Sequence, residues 1–143
     1  MDPEVRWADS FRLPSSGPFP MMDSRPPDPG SPNHKFYMTD QRLVFTTAGS
    51  REEAGKIAHA LVKRRLAACV NIVPMESVYR WKEQVEENAE CLLLIKTTAA
   101  AFDRLRDTIE ELHSYELPEC IAVVIEEGSG RYLNWIRASV AKE

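Results

Sequence analysis

The sequence predicts an α+β fold, a four-stranded antiparallel sheet with amphipathic helices on one face and an extra helix at the C-terminal end. Three observations carry that prediction. Short apolar runs rich in β-branched residues recur along residues 43–47, 68–73, 91–96 and 121–125. Two segments between them, residues 50–66 and 98–112, repeat apolar residues at helical spacing. An alternating aromatic stretch, Ser77-Val78-Tyr79-Arg80-Trp81-Lys82, sits between the second and third runs and reads as one arm of a hairpin.

The fold begins after a long polar opening. Eight of the ten prolines among the 143 residues lie between Pro3 and Pro32, mixed with Ser, Gly, Asp and Arg. Such a segment buries too little apolar surface to offset its chain entropy, so residues 1–40 are expected to form a disordered Pro-rich tail and residues 41–143 the folded domain. No apolar run follows the early charges as a secretory signal requires, and Met22 and Met38 are candidate alternative starts.

Within the domain, residues 43–47 form the first strand. Ser50 and Glu53 have the spacing of a capping box, and Ala54, Ile57, Ala58, Leu61 and Val62 line one side of a helix reaching about Leu66. Lys63, Arg64 and Arg65 match the negative end of that helix dipole. The second strand starts at Ala68, is interrupted at Pro74, and resumes in the aromatic stretch. The polar run 83–88 reads as the hairpin turn, and the continuous apolar run after it as a strand covered on both faces. Thr98 is the expected cap of a helix whose Phe102, Leu105, Ile109 and Leu112 face a core. Leu117-Pro118 ends the connection, residues 121–125 form the fourth strand, and Tyr132, Leu133, Ile136 and Val140 mark a closing helix. The order strand, helix, strand, strand, helix, strand, helix corresponds to two split β-α-β units, the ferredoxin-like arrangement. One sheet face stays open, and a partner subunit is its expected cover.

Composition narrows the function. The net charge is −4, of which residues 1–38 contribute −1, and no basic stripe exists, which argues against nucleic acid. No segment has the apolar length of a membrane helix. Cys69, Cys91 and Cys120 are odd in number, widely spaced and set in apolar runs, as expected of reduced thiols in a cytoplasmic protein.

Few residues point to chemistry. The loop His113-Ser114-Tyr115-Glu116-Leu117-Pro118-Glu119 gathers an imidazole, a phenol and two carboxylates. It suits a metal or acid–base site, and equally a capped helix end. Cys69 is a candidate soft metal ligand or a small core residue. Residues 46–50 lead into a helix N-terminus and read as a tight turn with an N-cap. Neither a nucleophile elbow nor a Gly-rich phosphate loop is present.

With these segments in order, the chain resembles the CutA divalent-cation tolerance family. The likeness rests on Thr46-Thr47, Ala54 with Ile57-Ala58, Leu66-Ala67-Ala68-Cys69-Val70-Asn71, Ser77 to Trp81, Lys96-Thr97, His113 with Tyr115, Pro118-Glu119, and Tyr132-Leu133-Asn134-Trp135-Ile136. It spans about residues 41–140. The resemblance implies a homotrimer of ferredoxin-like subunits, related in architecture to the PII signalling proteins, with the hairpin of Tyr79 and Trp81 crossing the subunit boundary. It further implies a divalent cation such as Cu(II) held in a cleft between subunits, with His113 and Cys69 as candidate metal ligands, to which the loop reading adds Glu119. Three positions depart from the family pattern. Thr46 stands where some members have cysteine, Ser114 replaces a proline and should loosen its loop, and Glu83 replaces a hairpin glycine and should change the turn.

The expected function is therefore divalent-metal binding in a cytoplasmic trimer that serves metal-ion tolerance. The alternative is a PII-like module holding a small anion in the same cleft through Lys96, Tyr79 and Tyr115. An enzyme of the acylphosphatase kind shares the fold class but needs a phosphate-cradling loop with Arg and Asn, and the chain is not expected to be an enzyme.

Overall fold

The computed structural model describes residues 39–141, and almost all of the expected tail lies outside them. Seven elements follow in the expected order: β1 (Gln41–Ala48), α1 (Arg51–Lys63), β2 (Cys69–Trp81), β3 (Gln84–Thr98), α2 (Phe102–Leu112), β4 (Ile121–Val124) and α3 (Gly130–Ser139). The strands form one sheet in the order β2-β3-β1-β4, and every neighbouring pair is antiparallel. Thr39 and Asp40, the last residues of the expected tail, are tied to the domain: Thr39 donates its hydroxyl to the Ile125 carbonyl, and Ala99 N–H donates to Asp40 O at 2.6 Å.

Alternation along the strands sorts the sheet into two faces. Val44 and Ala48 of β1, with Cys91, Leu93 and Ile95 of β3, point to one side. They pack there against Ala54, Ile57, Ala58 and Leu61 of α1 and Leu105 and Ile109 of α2, forming the buried core. Gln41 faces the other side, and its Nε2–H donates to the Leu133 carbonyl of α3 at 2.8 Å. The closing helix thus covers one end of the second face, whereas the sequence placed the helices on a single face.

The end of α1 explains how helix passes to strand without glycine or proline. Leu66 N–H donates to Leu61 O at 2.9 Å and Arg65 N–H to Val62 O at 3.0 Å, the paired bonds of a Schellman motif. Arg65 occupies its left-handed position with φ 57°. Its guanidinium reaches across to the C-terminus of α3, donating to Ala138 O at 3.0 Å and Ser139 O at 3.4 Å. Arg65 therefore serves the dipole of α3, and helix α1 ends at Lys63 rather than near Leu66.

Three other boundaries differ from expectation. β2 runs unbroken through Pro74, which pairs with Cys91. As β2 is an edge strand, a missing N–H on its outer side removes no ladder bond. The polar run 83–88 is mostly strand, because Val85, Glu86, Glu87 and Asn88 pair with Arg80, Tyr79, Val78 and Ser77. The turn is only Lys82-Glu83, with φ 48° and 69°, so it keeps the geometry of a tight two-residue hairpin without glycine. Helix α2 is capped at Ala101 with no side-chain bond, and Thr98 contributes its carbonyl to Ala101 N–H at 3.2 Å instead of its hydroxyl.

Candidate functional site

The loop after α2 is held against the tip of β1 by His113. The imidazole is fully buried, with 0% of its side chain exposed. Its Nε2 lies 2.5 Å from the Thr47 carbonyl, and Tyr115 N–H donates to Nδ1 at 3.1 Å. That pattern specifies the neutral tautomer with the proton on Nε2, both nitrogens being in use.

Glu53 locks the same loop from α1. Its side chain is 18% exposed, and its two oxygens accept from Ser114 N–H at 2.8 Å and from Ser114 Oγ at 2.9 Å. Burial alone would raise the Glu53 pKa. The paired Ser114 bonds, with the nearby Lys56 ammonium, outweigh burial and hold it below its ordinary 4.5. The Ser50–Glu53 spacing yields only half of the expected capping box, since Ser50 Oγ accepts Glu53 N–H at 3.1 Å while the carboxylate turns to Ser114. A proline at position 114 would lack the N–H, so serine fastens the loop that its presence was expected to loosen.

Tyr115 extends the site toward the hairpin. Its hydroxyl donates to Glu90 Oε1 at 2.7 Å, and burial together with that carboxylate pushes its pKa up. Gly49 makes room for the ring, because a Cβ there would stand 3.0 Å from the hydroxyl. Between this loop and the hairpin opens a cavity of about 720 Å³. Thr47, Glu90, Ser114 and Tyr115 line its inner side, Met75, Ser77, Val78, Tyr79 and Trp81 its hairpin wall, and Glu116, Leu117 and Glu119 its other wall. Across the hairpin, Asn88 Nδ2 donates to Tyr79 Oη at 2.5 Å.

The expected site residues thus divide into two groups. Tyr79, Trp81, Tyr115 and Glu119 share the cavity, with His113 immediately behind Tyr115. Cys69 and Lys96 stand apart, paired in register at the start of β2, where the Lys96 ammonium donates to Asn71 Oδ1 and lies 3.8 Å from Cys69 Sγ. Cys69 begins the β2 edge, whereas Glu119 precedes β4 at the opposite edge, offset by about 14 Å across three strand spacings and also displaced along the strands, since Cys69 shares its row with Val123. Among the described residues no three His, Cys, Asp or Glu side chains gather to hold a metal ion. Within one subunit, His113, Cys69 and Glu119 therefore do not form a chelate. Sequence reasoning missed Glu53 and Glu90. Glu53 had a local explanation as a cap, and Glu90 lay at the polar end of an apolar run.

Comparison with known proteins gives this arrangement a family. A profile described as CutA1 divalent ion tolerance protein matches residues 42–139. The chain is 50% identical over 98 residues to the divalent-cation tolerance protein CutA of Thermus thermophilus, covering 68% of this chain and 95% of that protein. It is 39% identical to human protein CutA over 113 residues, 78% of this chain but 63% of the relative's length. Among solved structures, the divalent cation tolerance protein from Thermus thermophilus superposes with TM-score 0.69 at 48% identity, over 71% of this chain and 99% of that one. The periplasmic divalent cation tolerance protein CutA of Archaeoglobus fulgidus gives 0.69 at 38% identity with the same coverage. The α+β architecture with four antiparallel strands and three helices is common to these matches, and the chain belongs to the CutA1 divalent ion tolerance protein family.

Proposed function

We propose that this chain is a ferredoxin-like subunit of a cytoplasmic homotrimer that serves divalent-cation tolerance by binding a cation such as Cu(II) where subunits meet. One observation carries the proposal, the apolar second face of the sheet. Leu43, Phe45, Leu92 and Leu94 are only half-buried there, and Val73, Ile121 and Val123 are 42%, 53% and 49% exposed in the same rows. An apolar face of that extent calls for a protein cover. The position of the donors supports the same assembly. In a ring built head to tail, the β2 edge of one subunit meets the β4 edge of the next, so Cys69 of one copy approaches the Glu119 loop of its neighbour. His113 joins such a site only by releasing the Thr47 carbonyl or the Tyr115 N–H. The three free cysteines support a reducing compartment.

Light scattering with calorimetric titration of Cu(II) and Zn(II) into the full chain tests the proposal. The expected result is a trimer mass and saturable binding, weakened roughly tenfold or more in Cys69→Ser and in Glu119→Gln. A monomer, or affinity unchanged in both variants, overturns it. Cell fractionation checks the compartment.

A further inference from the structure

The cavity beside the hairpin has a charge that the cation-tolerance proposal leaves unused. Glu90 is 9% exposed, yet its Oε1 accepts only the neutral Tyr115 hydroxyl, and among the described residues its carboxylate has no ion-pair partner. A carboxylate buried this far ordinarily has a counter-charge. No lysine or arginine lines the cavity. The hairpin's Lys82 lies at the rim, 4.0 Å from Glu116 of the cavity wall and with its ammonium 5.6 Å from the centroid of the Trp81 ring, so a cation already meets one of these rings while Glu90 is left without one.

Three aromatic rings, Tyr79, Trp81 and Tyr115, line the space around that carboxylate. The volume, about 720 Å³, is that of a small-molecule site and far exceeds a bare ion. A divalent metal needs several oxygen, nitrogen or sulfur donors converging within about 2–2.6 Å, and the described residues offer no such group. Ring faces with one buried carboxylate instead suit a large, weakly hydrated positive charge. Lys96, the residue expected to draw an anion, is at the far end of β3 from Glu90.

We propose that this cavity binds a small quaternary ammonium compound, its charge set against Glu90 and its alkyl groups against Trp81, Tyr79 and Tyr115. Glu90 and the three rings all come from one subunit, and binding there needs no metal.

The test uses the full chain with EDTA present. Choline is titrated by calorimetry and tryptophan fluorescence, against its neutral isostere 3,3-dimethylbutan-1-ol. Saturable choline binding is expected, with the isostere weaker by roughly tenfold or more. Glu90→Gln should lose a similar factor while keeping the wild-type mass and a melting temperature no lower than wild type. Trp81→Leu should also weaken choline. No saturation in the millimolar range, equal binding of the isostere, or undiminished binding by folded Glu90→Gln overturns the proposal. Should Glu90→Gln fail to fold, the isostere comparison on the wild-type protein decides.

Discussion

Thr46 is fully buried on the helix-covered face of β1, and its hydroxyl has no hydrogen-bond partner. A buried hydroxyl left unpaired costs about 1–3 kcal/mol. Thr46→Val keeps the β-branched shape and removes the group, so it should stabilise the protein by about 1 kcal/mol in urea unfolding; an equal or lower midpoint would refute the cost. Glu53 makes the opposite case, a polar group whose partners are distant in sequence. Its pKa is held down in the folded state, so its contribution is complete above about pH 4.5 and is lost as pH falls through the lower folded value. Glu53→Gln should therefore be less stable than wild type at pH 7, with the gap closing below pH 4.5; a gap constant with pH would remove the carboxylate from the loop's anchoring. The capping half of Glu53's role was legible because it acts over three residues. Its bond to Ser114, 61 positions away, depends on how α1 and α2 pack, which no local pattern encodes.

Elements were legible wherever an apolar period was strong, and their boundaries failed where a turn relied on unusual backbone rather than on glycine. The hairpin shows this. The polar run 83–88 suggested a long turn, but the arms project away from the core and gain little from apolar alternation, while ladder bonds keep them paired down to Lys82-Glu83. Both turn residues have positive φ, which side chains other than those of Gly, Asn and Asp adopt at a cost of about 1 kcal/mol. Replacing them as Lys82→Asn with Glu83→Gly should stabilise the chain by about 1 kcal/mol or more, read as a higher melting temperature at unchanged oligomer mass. Arg65 is a different case at the same scale, since its strained backbone carries a side chain that caps another helix. Arg65→Ala keeps most of the strain and loses the two bonds to α3, a cost of about 1–2 kcal/mol. Arg65→Gly loses the same bonds but relieves about 1 kcal/mol of strain, so it should unfold after Arg65→Ala. The reverse order would mean that the left-handed position costs little, while an Arg65→Ala as stable as wild type would mean that the cap contributes little. The run from Arg65 to Ile72 contains neither Gly nor Pro, and the structure assigns that lack to a residue serving two helix ends.

For the whole molecule, the decisive feature is the second sheet face, which α3 covers only at the Gln41 end. The sequence announced an open face through strand count and helix number, but not that the closing helix would take part of it, because no periodicity says which side of the sheet a terminal helix chooses. What remains open lies along β4 and the adjoining rows of β1 and β3, and it couples assembly to stability. If copies of the chain cover one another there, folding is linked to association, and the melting temperature must rise with protein concentration. Val123 is the position to probe. It is 49% exposed, pairs with Leu43, and lies in the middle of the apolar strip. Within a lone subunit, Val123→Arg leaves the charge in solvent and should change stability by no more than about 0.5 kcal/mol. In an assembly it places a charge in an apolar interface without a partner, which is strongly unfavourable. Sedimentation should then report subunits in place of the trimer proposed for the wild type, and the melting temperature of the variant should fall and lose its concentration dependence. A variant that stays trimeric would place the contact surface elsewhere and leave the apolar strip without its cover.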